Sequence, residues 1–307
     1  MAFSRELAAA VPRITEEMHR INRLLDAGYR HDAIAQFHAL AAVAIGTQRD
    51  DISCKGYLIQ GRTVEISVCR IPAQPRADKP IALFLSGLLA FLPWTAVRAL
   101  AFVDLFDIVV CELPGHGASG EAADVSLESF AAEYAALIDT ALQRAMDLFV
   151  IGESLGGLVA LKLAHLRPDR VRDVILIDTP FHLTRPDLAA WISESWQNPV
   201  QRSYTARICK EIMGIDPADG RAGPATQHYD LVRDAPFHCL HVTGGDRPLS
   251  GIPSVVTDAD IAALRAANPA MLFTPRIHAT GHAVLLDNPD AARAALEPFI
   301  VSRVSGR

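Results

Sequence analysis

The sequence predicts an α/β protein built on a mostly parallel, doubly wound sheet. Short apolar runs that end at glycine or proline recur along the chain, and segments of helical periodicity separate them. The run 148–151 is followed at once by apolar residues at helical spacing, as in a strand that leads directly into a helix. With 307 residues, half of them hydrophobic, the chain has material for one large α/β domain and an insertion or appendage. In such sheets, ligands bind at the carboxyl ends of the strands.

Composition and charge exclude several classes of protein. The formal charge of −6 is spread along the chain without a block of lysine and arginine, which argues against a nucleic-acid partner. No apolar stretch is long enough for a membrane span, and the N-terminal segment lacks the pattern of a signal peptide. We therefore expect a cytoplasmic protein with no membrane contact. The five cysteines are scattered and odd in number, which indicates reduced thiols rather than disulfides or a zinc site.

Residues 1–50 are predicted to form a helical hairpin. The first helix begins near Pro12 and ends near Gly28, and the second covers 31–46 with an apolar face of its own. The apolar stripe of the first helix comprises Ile14, Met18, Ile21 and Leu25. Each helix must bury its apolar face, either on the chain's own core or against a second copy or a carrier protein. The sequence leaves these possibilities open.

From residue 54 onwards the pattern changes to strands. Two segments, 54–61 and 62–72, favour an antiparallel pair at one edge of the sheet. Ser126 is predicted to cap the helix that follows the second of the later strand-like runs. We assign the α/β core to residues 51–180 and 237–307. Its later strand-like runs are 81–87, 107–115, 148–152, 173–180, 237–245 and 271–281.

Residues 181–236 interrupt this alternation. They are far more numerous than a single crossover helix needs, and an insertion at the carboxyl edge of the sheet predicts a helical cap over the site. Two aromatic residues of the cap, Trp191 and Trp196, are candidates for contact with a substrate. Packing of the cap onto the body of the protein would explain them equally well.

The stretch 148–160, LFVIGESLGGLVA, places Ser154 between a buried strand and a helix. A sharp turn of this kind holds its central residue in a strained conformation and needs small neighbours, which Gly152, Gly156 and Gly157 provide. The pattern Gly-Glu-Ser-Leu-Gly matches the G-x-S-x-G nucleophile elbow. Ser154 is therefore the candidate nucleophile.

A nucleophilic serine needs a base within hydrogen-bond reach and a third group that orients the base. His282 follows the last strand-like run and is the candidate base. Asp246 follows the preceding run and two glycines and is the candidate acid, because the order Ser154, Asp246, His282 leaves room for the cap. Asp178, at the end of the strand-like run before the cap, remains the alternative acid.

Other histidines fit the role of the base less well. His278 is expected inside the last strand, and His116 in a loop after a different strand. His238 and His241 would lie on opposite faces of a strand and could not share a metal ion. We expect no metal site.

Two backbone N–H groups are needed to hold a developing oxyanion. Leu155 directly follows Ser154 at the start of a helix and is predicted to supply one of them. Leu88, in the loop after the strand-like run 81–85, is predicted to supply the other, because the preceding Gly87 lets the backbone turn tightly.

These motifs resemble those of the α/β-hydrolase superfamily over roughly residues 55–302. The stretch 112–120, ELPGHGASG, is similar to the family's loop after its fourth strand, with Glu112 where aspartate is usual. Ser86 stands where the family often has histidine, and the N-terminal hairpin is not part of the family's core pattern. The resemblance implies a mostly parallel eight-stranded sheet flanked by helices, and no metal or organic cofactor.

The predicted function is hydrolysis of an ester or thioester through an acyl-enzyme on Ser154, with a small-molecule or carrier-bound acyl substrate. The alternatives are an acyltransferase or carrier-protein thioesterase with the same triad, a hydrolase of carbon–carbon bonds, and a non-catalytic ligand receptor. The presence of serine, aspartate and histidine argues against the receptor. A haloalkane dehalogenase would need an aspartate where Ser154 stands.

Overall fold

The computed structural model describes residues 5–74, 79–143, 147–196, 203–224, 226–245 and 253–305. Its centre is a sheet of eight strands. The strands are β1 (Lys55–Gln60), β2 (Glu65–Ile71), β3 (Ile81–Leu85), β4 (Asp107–Cys111), β5 (Leu148–Glu153), β6 (Val171–Ile177), β7 (His238–Val242) and β8 (Leu272–Phe273). The apolar runs of the central strands are buried, as expected for strands that are covered on both faces.

Most neighbouring strands run parallel. The order across the sheet is β1-β2-β4-β3-β5-β6-β7-β8. The pairs β1–β2 and β2–β4 are antiparallel, whereas the remaining pairs are parallel. This confirms the predicted fold class, including the antiparallel pair at one edge. Because β3, β5 and β6 are neighbours and parallel, their carboxyl ends lie side by side at one edge of the sheet.

Helices cover both faces of the sheet. In the described part of the chain they are α1 (Arg5–Asp26), α2 (Arg30–Gln48), α3 (Leu92–Ala99), α4 (Leu127–Ala141), α5 (Leu155–Leu166), α6 (Pro186–Trp196), α7 (Ser203–Glu211), α8 (Asp258–Ala267), α9 (Val284–Asp287) and α10 (Pro289–Ser305). The predicted cap of α4 is confirmed, since the Ser126 hydroxyl accepts the N–H of Ser129 at 3.1 Å.

Alternate residues of each strand face two separate apolar cores. In β5, Val150 belongs to the core that includes α4 and α5, while Phe149 and Ile151 belong to the core that includes α3 and α10. Burial of a large apolar side chain stabilises the fold by roughly 1.5–3 kcal/mol. The strands that carry the site are thus anchored from both faces.

The two N-terminal helices pack against the body of the protein. Ile14 and Met18 of α1 form an apolar cluster with Ala44 of α2 and Val97 of α3. Ile21 joins the core that includes α3 and α10. These residues of the α1 stripe are therefore buried within this chain. Contact of this region with a second copy or a carrier protein stays a prediction, as do the domain boundaries.

Two elements differ from the predictions. The last strand is far shorter than the run 271–281, because Pro275 has no N–H for the ladder and the chain turns at Ala279, where φ is 55°. The helix α1 begins at Arg5 rather than near Pro12. The proline lies inside this helix and removes one backbone hydrogen bond without ending it.

The described residues between β6 and β7 form α6, α7 and a 3-10 turn at Tyr229–Val232. They occupy the segment predicted as the cap. Among the helices described here, none combines the length and the apolar character that crossing a bilayer requires.

Candidate active site

Ser154 lies in the tight turn between β5 and α5. Its φ of 53° and ψ of −125° fall outside the conformations that most residues favour. The adjacent glycines leave the room that this turn requires: a β-carbon at Gly156 would collide with the carbonyl of Ser86, and one at Gly157 with a side chain of the loop after β6. The Ser154 N–H donates to the carbonyl of Ile177 at 2.9 Å. The predicted strand, strained turn and helix are confirmed.

The imidazole of His282 is held by Asp178. His282 lies just before α9, and its Nδ1–H donates to Asp178 Oδ2 at 2.8 Å. Asp178 directly follows β6, with a φ of 43°. In a neutral ring this hydrogen bond leaves Nε2 as the acceptor, which is the nitrogen that a general base must present.

The carboxylate of Asp178 is completely buried and receives four hydrogen bonds. Besides the histidine ring, the N–H of Gly244 and the hydroxyl of Ser254 donate to Oδ1 at 2.9 and 2.6 Å, and the N–H of Val255 donates to Oδ2 at 2.9 Å. Burial by itself would raise the pKa of this carboxyl group. The hydrogen bonds from His282, Ser254 and Gly244 outweigh burial, so the pKa of Asp178 lies below its ordinary value.

The partner of His282 is thus the residue that the sequence left as the alternative to Asp246. Asp246 lies outside the described residues, whereas Asp178 contacts the ring directly. Chain order favoured Asp246, but it does not decide between the two aspartates, because each follows one of two neighbouring strands in the sequence, β6 and β7. The contact with His282 therefore favours Asp178, the alternative, as the acid of the candidate site.

Ser154 and His282 line one cavity of about 470 Å³. Its walls come from α1, the loop after β3, and α6. Trp191 of α6 is one of the lining residues, with its ring 5.9 Å from that of His282 in an edge-to-face arrangement. The Ser154 hydroxyl forms no hydrogen bond to another described residue. In enzymes without bound substrate, the hydrogen bond between nucleophile and base is often long and tightens only when substrate binds. Trp196 ends α6, and its side chain lies outside the described part of the chain.

The loop after β3 lies directly against the nucleophile. A β-carbon at Gly87 would be 3.0 Å from the β-carbon of Ser154, a tight contact that a larger residue could make only if the elbow shifted slightly. Leu88 follows Gly87 and lines the cavity, and Leu155 is the first residue of α5. Both positions suit the backbone donors predicted for an oxyanion, and the N-terminal end of α5 adds its partial positive charge.

Two residues of the stretch 112–120 brace this loop. His116 is buried, and its Nε2 accepts the N–H of Leu89 at 3.3 Å, where the backbone has a φ of 63°. Glu112 Oε1 accepts the N–H of Leu92, the first residue of α3, at 2.9 Å. The sequence identifies this stretch as a motif, but its support of the loop depends on tertiary contacts that spacing does not reveal.

A buried ion pair adjoins the nucleophile. Arg98 of α3 donates to Glu153 Oε2 at 2.6 Å, and the two side chains are 15% and 4% exposed. Because Glu153 immediately precedes Ser154, the pair ties α3 to the elbow. Sequence reasoning missed this contact, since the G-x-S-x-G pattern places no demand on the residue before the serine and Arg98 is 55 positions away.

The other histidines that the sequence offered in strands, His278, His238 and His241, do not line the cavity that contains Ser154. His278 is exposed in the turn after β8, and His238 is exposed at the start of β7. His241 is buried, its Nε2 accepts the N–H of Thr179 at 3.2 Å, and burial lowers its pKa to about 4. Within the described ranges, no three histidine, cysteine, aspartate or glutamate side chains group as metal ligands would.

Comparison with known proteins agrees with this architecture. The family model described as the alpha/beta hydrolase fold matches residues 83–210. A Pseudomonas savastanoi protein with the provisional name carbamate hydrolase RutD is 28% identical over 204 residues, which is 65% of this chain and 76% of that protein. The pimeloyl-[acyl-carrier protein] methyl ester esterase of Klebsiella pneumoniae is 31% identical over 127 residues, 38% of this chain and 47% of that protein. Carboxylesterase CesB of Bacillus subtilis superimposes with a TM-score of 0.65 at 14% identity, covering 88% of this chain and 97% of that one.

The chain therefore has the α/β-hydrolase fold and is similar in sequence to proteins named as hydrolases and esterases, which supports a hydrolytic enzyme. The match to the Klebsiella esterase spans less than half of that protein's length, at 47%. The likeness to the Bacillus carboxylesterase, at 14% identity, concerns the fold.

Proposed function

We propose that this protein is a serine hydrolase that cleaves an ester or thioester through an acyl-enzyme on Ser154. The observation that carries the proposal is the arrangement at one cavity, where Ser154 occupies a strained elbow and His282 shares the lining while held by Asp178. The named relatives support an acyl substrate, small or carrier-bound, because one of them is a methyl ester esterase for an acyl-carrier protein derivative.

The first half of the reaction forms the acyl-enzyme. His282 Nε2 takes the proton of the Ser154 hydroxyl as its oxygen attacks the substrate carbonyl carbon. The ionised Asp178 holds the ring in the required tautomer and stabilises the imidazolium that forms. The N–H groups of Leu88 and Leu155 bind the negative oxygen of the tetrahedral intermediate. The leaving alcohol or thiol then takes the proton from Nε2.

The second half restores the enzyme. A water molecule gives its proton to His282 Nε2 and attacks the acyl carbonyl, a second tetrahedral intermediate collapses, and Ser154 regains its proton as the acid leaves. An alcohol or thiol in place of water would give acyl transfer from the same intermediate. The depressed pKa of Asp178 keeps its carboxylate charged throughout neutral pH, where the imidazolium must be stabilised.

The test uses Ser154→Ala and a matched serine. Wild type, Ser154→Ala and Ser203→Ala, which changes an exposed serine of α7, are assayed with p-nitrophenyl esters and acyl thioesters of graded length. We expect Ser154→Ala to lower kcat by at least about 10⁴-fold and Ser203→Ala to match wild type. A fluorophosphonate should label wild type and Ser203→Ala but not Ser154→Ala. Retention of esterase activity and labelling by Ser154→Ala would refute the proposal. The ratio of transferred to hydrolysed product with an added thiol separates acyl transfer from hydrolysis.

A further inference from the structure

Helix α1 forms part of the wall of the active-site cavity. Thr15, Met18 and His19 line the same cavity as Ser154 and His282. Residues spaced by three and four positions lie on one face of a helix, so these three side chains form a single surface. Part of the N-terminal helix therefore borders the cavity as well as the core.

The position of α1 is fixed by apolar packing. Met18 is in the apolar cluster with Ile14 and Val97, and Trp94 packs against that cluster while also lining the cavity. The cluster joins α1 to α3, the helix that follows the loop carrying Leu88. The wall contributed by α1 is therefore held at a fixed position relative to the loop that carries the predicted oxyanion donor Leu88.

The face that α1 turns to the cavity carries two polar side chains beside Met18. Thr15 and His19 are partly exposed and form no hydrogen bond to another described residue. Asn22 lies on the same face, two turns beyond Thr15, and is 3% exposed, and its amide nitrogen and oxygen have no hydrogen-bond partner among the described residues. Asn22 does not line the cavity, so the groups of α1 available to a ligand there are the Thr15 hydroxyl and the His19 ring, which internal hydrogen bonds do not use.

The charges of the cavity disfavour an anionic ligand. Arg98 lines the cavity, but its charge is balanced by Glu153 at 2.6 Å. Glu194 of α6 also lines the cavity and forms no ion pair with a described residue. Glu194 is exposed, and its carboxylate would repel a carboxylate that entered here, whereas an uncharged polar group would not be repelled.

We infer that α1 recognises an uncharged polar group, such as an amide or hydroxyl, at the end of the substrate distal to the scissile bond. Thr15 and His19 donate and accept the hydrogen bonds, and Met18 contacts the chain that connects the polar group to the ester. This inference rests on the proposed function and names the substrate class of the same site. The three residues are specificity determinants and take no part in the proton transfers.

The test uses ester substrates of equal shape that differ in one terminal group. On the acyl side they are methyl succinamate, monomethyl succinate and methyl 4-methylpentanoate, which end in an amide, a carboxylate and an isopropyl group. On the alcohol side they are the acetate esters of 3-hydroxypropanamide, 3-hydroxypropanoate and 3-methylbutanol. In at least one series we expect kcat/KM for the amide to exceed that for the carboxylate by at least about tenfold.

Variants of α1 assign the preference to its side chains. Thr15→Val and His19→Leu should each lower kcat/KM for the amide about threefold to tenfold, mainly through KM, and leave the isopropyl analogue unchanged. His19→Gln keeps hydrogen-bonding capacity and should restore much of the preference. Glu16→Gln changes an exposed residue on the same helix and should behave as wild type. Thermal unfolding confirms that each variant is folded.

Two results would overturn the inference. One is a preference for the carboxylate over the amide in both series. The other is an equal effect, or no effect, of Thr15→Val and His19→Leu on all three analogues. If these esters and the p-nitrophenyl panel are hydrolysed only when Ser154 is present, such a result removes the role of α1 alone. If no ester is hydrolysed in a Ser154-dependent way, the proposed function fails instead.

Discussion

Replacement of Asp178 by asparagine tests the arrangement on which the proposed chemistry depends. Each carboxylate oxygen accepts two hydrogen bonds, with Gly244 and Ser254 on Oδ1 and His282 and Val255 on Oδ2. An amide offers one oxygen and one NH₂ group. In either orientation the NH₂ group faces a backbone N–H. Because neither group can accept a hydrogen bond, one backbone hydrogen bond is lost.

The catalytic cost follows from the same geometry. If NH₂ faces His282, the ring must accept at Nδ1 and carry its proton on Nε2, which then cannot take the proton of Ser154. If the amide oxygen faces the ring, the tautomer is kept but the negative charge that stabilises the imidazolium is gone. We expect kcat to fall about 10⁴-fold, equivalent to roughly 5.5 kcal/mol of transition-state stabilisation, in Asp178→Asn.

The assay compares Asp178→Asn with Asp246→Asn, the matched change at the other candidate acid. Initial rates with p-nitrophenyl acetate give kcat and KM, and thermal unfolding shows whether each variant is folded. Asp246→Asn should stay within about threefold of wild type. A loss near 10⁴-fold in Asp246→Asn, with Asp178→Asn retaining more than a tenth of the activity, would refute the assignment of the acid.

Three further predictions concern the surroundings of the site. His116→Ala should free the N–H of Leu89 and lower kcat about tenfold with little change in KM, whereas His116→Gln keeps an acceptor and should recover most of the rate; equal rates for both variants would contradict the bracing role. Arg98→Met leaves Glu153 buried without its partner and should lower the free energy of unfolding in urea by about 3 kcal/mol, and adding Glu153→Met should recover most of this loss. Burial lowers the pKa of His241 to about 4, so between about pH 6.5 and 4 the unfolded chain binds a proton that the folded protein does not. Stability should therefore fall across this window as pH decreases, by up to about 3 kcal/mol, and urea titrations should show a shallower fall for His241→Gln.

The nucleophile could be predicted from the sequence because its signal is local. The strand, the serine and the glycines of 148–160 are contiguous, and each residue type answers a steric demand of one turn. The choice of acid depended instead on how the loops after β6 and β7 reach the ring of His282. Both Asp178 and Asp246 satisfy the pattern of an aspartate after a strand, so only the tertiary contact distinguishes them.

The contacts that surround the nucleophile lay beyond sequence reasoning for a similar reason. The apolar stripe of α1 predicts that the helix packs on something, and Ile14 does so. Nothing in the periodicity shows that Thr15 and His19 border the cavity. The Arg98–Glu153 pair likewise joins residues with no recognisable spacing. Local patterns predict elements, whereas these contacts depend on the packing of one element against another.

The placement of Asp178 at the end of β6 keeps two of the proposed catalytic residues on one continuous part of the chain, ahead of the inserted segment that also lines the cavity. The serine and the aspartate both lie on the continuous β5-α5-β6 unit, and the Ser154 N–H is bonded to Ile177, the residue just before Asp178. The segment 181–236 is inserted only after this unit is complete. Its length and composition can therefore diverge, or be exchanged by recombination, without altering the distance between these two side chains. Variation in the inserted segment, which contributes Trp191 and Glu194 to the cavity, is in this way decoupled from the geometry between Ser154 and Asp178.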